Sequence, residues 1–550
     1  MTGTRRSNIW MRPLFALTLL AAVLSGCNIA QVTTQEAAKA NDTAEQQAAI
    51  STPACAKDSL PQFPDVTITS VTRETTPAAH CKVIGVIGSE IGFELRLPDD
   101  WNGKFIMGGS GGFAGTFNNA AHDFWNVVPD GWATVATDTG HTGNPLSASW
   151  ALNNLERQVN FGYLAVHRTA VNAKALIEGY FGSEIDRSLF FGCSRGGGQA
   201  LMAAQRSPEL FDGIYAGAPA FSWTTEMAGR WTRNAQFMYP DPNELAEPVI
   251  DAAALSLIGG AVMERCDVLD GLKDGILNDP RQCDFDVASL ACDAGSSDHC
   301  LTPEQVAAAQ AIYGDFEIGG KLSRGAPLGS ELPGSPLGWD RWITGGYEPG
   351  DAVEFHPGVE SEDFEVLVAP NARWAFAMGM MRNFVFGDPD WSYAGYDFSD
   401  FAQKTASVAQ ALDADNPDLS AFRARGGKLI IDNGWMDGSL TPYGTIDYYD
   451  SVIDFDPTAR DDVRLFVRPG VTHCQLGPGP DGTNYITALE EWLNTGVAPE
   501  QLDAPYATPA PGRPPSGRGG RIICAHPNVV TYDGSGDPND PASFSCVDPD

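Results

Sequence analysis

A serine framed by glycines is the first place where this chain could do covalent chemistry. Gly192-Cys193-Ser194-Arg195-Gly196 is a G-x-S-x-G pentapeptide. An apolar stretch over 188–192 precedes it and an expected helix over 195–206 follows, which is the strand–turn–helix setting of a nucleophile elbow. The pentapeptide alone recurs by chance in glycine-rich turns, so the flanking elements carry the reading. A serine hydroxyl needs a base, and the base needs an acid to orient it. In the hydrolase order the acid comes next and the histidine last. Of the 8 histidines, only His473 and His526 follow the later strand candidates. His473 lies beyond a strand expected over 463–467, through Arg468-Pro469-Gly470, and is the expected base. Asp437 lies beyond a strand expected over 428–432, through Asn433-Gly434, and is the expected acid. Asp432, still within that strand, is the rival acid, and His526 is expected to be structural. The amide of Arg195 would be one oxyanion donor, and the loop at Gly111-Gly112 a second, because glycine lets backbone approach a substrate closely.

These residues need a scaffold that brings three strand ends together. Strands are expected over 66–71, 81–87, 93–97, 104–107, 132–137, 188–192 and 213–216, with helices over 158–180 and 195–206. Such alternation implies a mainly parallel sheet covered on both faces. Between 221 and 420 the texture changes to Trp, Gly, Pro and Asp without regular alternation, and strands resume at 428. The expectation is an α/β-hydrolase core in two parts, 55–220 and 421–550, interrupted by a lid at 221–420. A chain of 550 residues, 43% hydrophobic and 19% charged, can bury a core of that size. No internal repeat is evident.

The N-terminus reads as an export signal. Residues 1–26 hold Arg5, Arg6 and Arg12, no acid, and an apolar run too short to span a bilayer. The run ends in Leu24-Ser25-Gly26-Cys27, which resembles a lipobox and predicts lipidation of Cys27. Asn28 after that cysteine points towards an outer membrane or cell surface. Residues 27–54 read as a flexible tether. The formal net charge of −35 argues against nucleic acid or an anionic membrane surface as partner, leaving the lipid anchor as the membrane contact. Oligomeric state is not legible.

There are 11 cysteines, and setting Cys27 aside leaves ten, as an exported disulfide-bonded protein would have. Spacing does not fix connectivity. The set nevertheless falls into local couples: Cys55 with Cys81, Cys266 with Cys283, Cys292 with Cys300, and Cys524 with Cys546. Cys193 and Cys474 remain, each beside a catalytic candidate.

At this point a family resemblance emerges. Cys193-Ser194, Gly196-Gly197, Gly434 with Asp437, and His473-Cys474 resemble the tannase and feruloyl esterase family. Trp101-Asn102-Gly103-Lys104-Phe105, Thr137-Asp138-Thr139-Gly140-His141, Phe161-Gly162-Tyr163, Val166-His167, Phe211-Asp212-Gly213 and Gly217-Ala218-Pro219 extend it over about 55–550. The resemblance implies a carboxylic ester hydrolase with a Cys193–Cys474 disulfide, and agrees with the local couples. Gly198 departs from the arginine that such chains often carry there. In the loop 267–276, acids recur at 267, 270 and 274. Their spacing alone is equally that of a solvated acidic turn. The resemblance implies a structural Ca2+ held by Asp267, Asp270, Asp274 and the carbonyls of Leu272 and Ile276.

Trp223, Trp231, Trp339, Trp342, Trp374, Phe384, Phe386 and Trp391 give the lid an aromatic character suited to a flat acyl group, although most are expected to form the lid's own core. Arg382, with Phe384 and Trp391, is the expected acyl-binding set, and Arg373 is a second candidate cation for a substrate carboxylate. Galloyl, feruloyl and terephthaloyl esters all remain open. Hydrolysis of other esters or amides, and a lipid-anchored binding protein on a degenerate hydrolase fold, are the alternatives.

Overall fold

Nine strands form the main sheet: β1 Val66–Glu74, β2 His80–Ile87, β3 Ile91–Pro98, β4 Lys104–Gly108, β5 Ala133–Thr137, β6 Arg187–Cys193, β7 Gly213–Gly217, β8 Lys428–Gly434 and β9 Val463–Arg468. Their order is β1-β2-β3-β5-β4-β6-β7-β8-β9. The first three and β5 pair antiparallel, and from β5 to β9 every pairing is parallel. This computed structural model describes residues 53–549 apart from 294–298, 334, 336–337, 346–368 and 509–513. The expected signal segment, Cys27 and nearly all of the tether lie outside the described residues.

The central strands are apolar because both faces are covered. β5, β7 and β9 are buried at every position, β6 at five of its seven residues and β8 at all but Lys428. One face packs on helix α1, Ala165–Phe181, and helix α2, Arg195–Arg206. The other receives Trp492 and Leu489 of α3, Tyr485–Thr495, against Phe191, Ile430 and Phe466. The helix expected over 158–180 begins earlier, at Leu155–Val159, and passes through a widened π turn at Asn160–Leu164 before α1.

Most strands run one to three residues beyond the expected spans, and two of these extensions lie next to the candidate site. Asn433 and Gly434 belong to β8 and Arg468 belongs to β9, because parallel pairing continues to Gly434 opposite Arg468. Two hairpins near the C-terminus, Gln501–Pro505 with Gly520–Cys524 and Val529–Tyr532 with Phe544–Val547, went unread in the sequence. They are short and lie among Pro-, Gly- and Asp-rich stretches, so alternation is hard to recognise.

Between β7 and β8 the chain inserts the segment expected as a lid. Its core joins Trp223, Trp231, Trp339, Trp342, Trp374 and Phe376 to Phe113 and Phe161 of the hydrolase core. Among the described residues five disulfides form: Cys55–Cys81, Cys193–Cys474, Cys266–Cys283, Cys292–Cys300 and Cys524–Cys546.

Candidate active site

Ser194 stands between β6 and α2 with φ 61° and ψ −123°, a region that non-glycine residues rarely occupy. The turn is held by its neighbours. Ser194 donates its amide to the Gly217 carbonyl (3.0 Å), and its own carbonyl accepts from the amides of Gly198 (3.1 Å) and Ala220 (2.8 Å). Glycine is required where backbones touch. A Cβ on Gly192 would lie 2.2 Å from the Gly196 carbonyl oxygen, and one on Gly109 would lie 2.5 Å from the Gly196 Cα. The glycine loop after β4 is thereby pressed onto the elbow.

In that loop most amides are committed. Gly109 donates to Phe191, Phe113 to Pro145 and Ala114 to Gly111, while the Ser110 amide donates to Gln199 Oε1. The amides of Gly111 and Gly112 donate to no group among the described residues, nor does that of Arg195 at the start of α2. These three are the amides expected as oxyanion donors; the loop that carries Gly111 and Gly112 meets the elbow through Gly109 and Gly196. His141 supports the loop. Burial lowers its imidazole to about 3, so it is neutral and its Nε2–H can donate to the Phe113 carbonyl (2.9 Å) while the ring stacks on Trp150.

His473 follows β9, and its Nδ1 lies 2.9 Å from Asp437 Oδ2. Asp437 is fully buried, and its Oδ1 accepts from the amides of Ser439 (2.7 Å) and Leu440 (3.0 Å). Its acceptor positions therefore point one oxygen at the histidine. Nε2 of His473 is buried and has no hydrogen-bond partner among the described residues, so it makes no hydrogen bond to Ser194 in this structure. Trp342 meets the imidazole edge-on at 5.1 Å. The Cys193–Cys474 disulfide, Cα–Cα 6.0 Å, ties the residue before the serine to the residue after the histidine.

Asp432, the rival acid, serves elsewhere. It is fully buried on β8, accepts from Tyr215 Oη (2.9 Å) and Tyr485 Oη (2.6 Å), and forms an ion pair with Arg468. Arg468 in turn donates to the Cys474 carbonyl (3.0 Å). Burial and the Asp432 charge raise both phenols well above their ordinary range. This network holds the loop that carries His473. Of this network the sequence singled out only Asp432, as the rival acid. His526 lies 3.5 Å from Asp450 and edge-on to Tyr449, away from the chemistry.

The expected acyl-binding residues divide. Phe384 packs 6.2 Å from Phe113, beside the glycine loop, within a cluster that includes Phe161 and Trp150. Arg382 donates Nε–H to the Trp391 carbonyl (2.9 Å), and Trp391 stacks on Phe386. Arg373 is buried and donates to the Ser439 carbonyl (2.9 Å). The Arg195 side chain is buried too, bonded to the carbonyls of Phe161 and Gly162 and lying over the rings of Phe161 and Trp223. Burial lowers its guanidinium to about 9. Only the amide of Arg195 was read as functional from sequence.

The loop 267–276 is oxygen-rich and folded on itself. Asp267 accepts from the Gly275 amide (2.8 Å), Asp270 from Leu272 (3.0 Å) and Asp274 from Ile276 (3.1 Å), while Asp274 also pairs with Arg521. Burial, with Asp274 adding to it, raises the Asp270 carboxyl to about 6. The carbonyls of Leu272 and Ile276 accept no hydrogen bond among the described residues. These are hard oxygens of the kind calcium takes, so the loop fits the ion in donor chemistry. Among the described residues no three His, Cys, Asp or Glu side chains converge as a finished metal centre.

An Asp–His pair carried to a nucleophile elbow by the ends of parallel strands is the architecture of an α/β-hydrolase. Comparison with known proteins narrows the class. The family profile "Tannase and feruloyl esterase" matches residues 70–547. The mono(2-hydroxyethyl) terephthalate hydrolase of Piscinibacter sakaiensis is 32% identical over 86% of this chain and 85% of its own. An uncharacterized esterase of Xanthomonas campestris pv. campestris is 33% identical over 86% and 84%. The crystal structure of feruloyl esterase B from Aspergillus oryzae superposes with a TM-score of 0.74 at 25% identity, covering 88% of this chain and 98% of that one. The chain belongs to the tannase and feruloyl esterase family and is a carboxylic ester hydrolase.

Replacing both Cys193 and Cys474 by alanine is expected to lower kcat by roughly 10²-fold, since misplacing a base by about 1 Å costs that much. Stability should fall by about 2–4 kcal/mol. Steady-state kinetics and urea unfolding measure the two effects. Unchanged kcat in the folded variant would show that packing alone aligns serine and histidine.

Proposed function

We propose that this protein is a serine esterase that cleaves aromatic carboxylic esters through an acyl-enzyme. The observation that carries the reading is His473, bonded through Nδ1 to buried Asp437, with Nε2 unpartnered beside the elbow. In this mechanism His473 Nε2 takes the proton of Ser194 as Oγ attacks the ester carbonyl. Asp437 stabilises the imidazolium, and the amides of Arg195, Gly111 and Gly112 receive the oxyanion. His473 then protonates the departing alkoxide. Water, deprotonated by His473, attacks the acyl-enzyme and releases the acid.

An aromatic acyl group is supported by what surrounds the reacting atoms. Phe113 adjoins the glycine loop and meets Phe376 at 5.1 Å, and Trp342 stands against His473. Relatives named as a terephthalate monoester hydrolase and as a probable feruloyl esterase, the latter from Arthroderma benhamiae, agree in substrate type. Methyl ferulate, methyl gallate, mono(2-hydroxyethyl) terephthalate and p-nitrophenyl butyrate, offered to wild type and Ser194→Ala, test the proposal. Selective turnover of an aromatic ester, reduced on the order of 10⁴-fold or more in Ser194→Ala, is expected. Folded wild-type protein that turns over no ester would leave a binding protein on this fold as the better reading.

Calcium in the loop 267–276 is proposed as a structural ion, held by Asp267, Asp270, Asp274 and the carbonyls of Leu272 and Ile276. It would offset the repulsion between Asp270 and Asp274 and stiffen this part of the lid. Chelation should lower the melting temperature, and added Ca2+ should restore it while leaving Asp270→Asn unaffected. Equal melting curves with and without chelator would remove the ion from the account.

Export and lipidation at Cys27 complete the proposal, supported by the run that ends in Leu24-Ser25-Gly26-Cys27. The wild type should partition into the detergent phase of a bacterial membrane fraction, and Cys27→Ser should be released as soluble protein. Wild type found in the aqueous phase would refute the anchor.

A further inference from the structure

The arginine that opens α2 buries its charge at the unfavourable end of a helix. Arg195 is 1% exposed, and the first turn of α2 holds no acid. A helix N-terminus carries partial positive charge, so a cation there is repelled. Burial alone lowers the guanidinium to about 9, with no charged neighbour contributing, and it stays charged at neutral pH. Nη2 donates to the carbonyls of Phe161 and Gly162, the latter at 3.0 Å. Nε and Nη1 find no hydrogen-bond partner among the described residues. A buried cation without a counter-charge costs stability, and an apolar side chain of similar length would fill the space without that cost. Packing alone therefore does not account for arginine here.

Its contacts join the two parts of the expected oxyanion site. One part is the Arg195 amide. The other is the Gly111-Gly112 loop, which runs directly into Phe113. The guanidinium lies 4.4 Å from the Phe161 ring and 5.4 Å from the Trp223 ring. Those rings meet edge-on at 5.3 Å, and they pack on Phe113 at 6.1 Å and 5.5 Å. Phe161 is held twice, because its carbonyl lies in the π turn Asn160–Leu164 that Nη2 grips. Such widened turns recur at functional sites. The head of Arg195 thus holds the aromatic pair against which the glycine loop packs, while its backbone carries the remaining amide.

We propose that the Arg195 guanidinium is a positioning residue for oxyanion stabilisation. By clamping Phe161 and Trp223 it sets the separation between its own amide and the glycine loop. The proposal rests on the serine-esterase reading above and adds to it a side chain that acts only through other residues. Oxyanion donors act on the tetrahedral species, so their misplacement falls on kcat and spares KM.

Kinetics on p-nitrophenyl butyrate, paired with inhibition by phenylboronic acid, test this. Ser194 Oγ adds to boron as its proton passes to His473, giving a tetrahedral anion in the oxyanion site. In Arg195→Met, kcat should fall roughly 10-fold to 10²-fold with KM within about twofold of wild type. The inhibition constant of phenylboronic acid should rise by the same factor as kcat falls. Arg195→Lys, which keeps the charge and loses the planar stack, should lie between Arg195→Met and wild type. If Arg195→Met does not fold, Arg195→Lys and Phe161→Leu decide by the same two constants. A folded variant with unchanged kcat, or with lowered kcat and undiminished phenylboronic acid binding, overturns the proposal. Ser194→Ala, run beside them, keeps the two ideas apart: activity surviving there removes the serine reading itself, and this proposal with it.

Discussion

One covalent link fixes the distance between the serine elbow and the histidine loop. Ser194 follows β6, and His473 follows β9, with the whole insertion between β7 and β8 lying between them in sequence. The Cys193–Cys474 disulfide spans 281 residues and holds its two Cα atoms 6.0 Å apart. In the chain-entropy account a loop of this length withdraws on the order of 5 kcal/mol of freedom from the unfolded chain. The same bond restricts the folded state, because neither the elbow nor the histidine loop can shift without the other. A rigid link here relieves the lid of the task of holding the base. The insertion between β7 and β8 can then vary its aromatic lining while the nucleophile and base keep their spacing.

The disulfide fixes one edge of the histidine loop, and buried charge fixes the other. Arg468 at the end of β9 bridges Asp432 on β8 to the Cys474 carbonyl. Tyr215 and Tyr485 take the remaining acceptor positions of Asp432, so the carboxylate is paired and solvated by protein groups. Removing one partner from such a set costs more than the set contributes in total, because an uncompensated charge stays buried. Two aspartates five residues apart thus divide the labour. Asp432 sets where the loop lies, and Asp437 sets which way His473 points.

Much of this was legible in the sequence, and the reasons differ by element. The elbow could be read because backbone contact demands glycine at 192 and 196, leaving a pattern of residue types at fixed spacing. The strands could be read because burial on both faces makes them nearly continuous apolar runs. Asp437 could be preferred to Asp432 because a strand-end loop is where an acid can reach a base. What stayed hidden depends on contacts distant in sequence. Tyr485 and Asp432 are 53 residues apart, and Tyr215 and Asp432 are 217 apart, with no spacing rule joining them. The buried guanidinium of Arg195 was also unforeseen, since an arginine beside a nucleophile reads as exposed until Phe161 and Trp223 are seen to cover it. The C-terminal hairpins escaped because short strands rich in turn residues carry too little periodicity.

Phe113 makes the lid and the oxyanion loop parts of one mechanical unit. Its backbone is fastened on both sides: its amide donates to Pro145 and its carbonyl faces His141 Nε2. Its ring packs against Trp223, Phe376 and Phe384 of the lid. Gly112, directly before it, lies so close to Pro145 that a Cβ would meet that carbonyl at 2.4 Å. A lid aromatic that moves the Phe113 ring must therefore strain the glycine loop that is packed against the elbow. Close-packed interiors transmit such shifts and do not absorb them. On the proposed mechanism, acyl recognition and oxyanion geometry are consequently coupled. Changes among Phe376, Phe384 and Trp223 should alter kcat as well as KM, whereas residues such as Arg382 and Trp391, whose contacts lie apart from Phe113, are freer to tune binding alone.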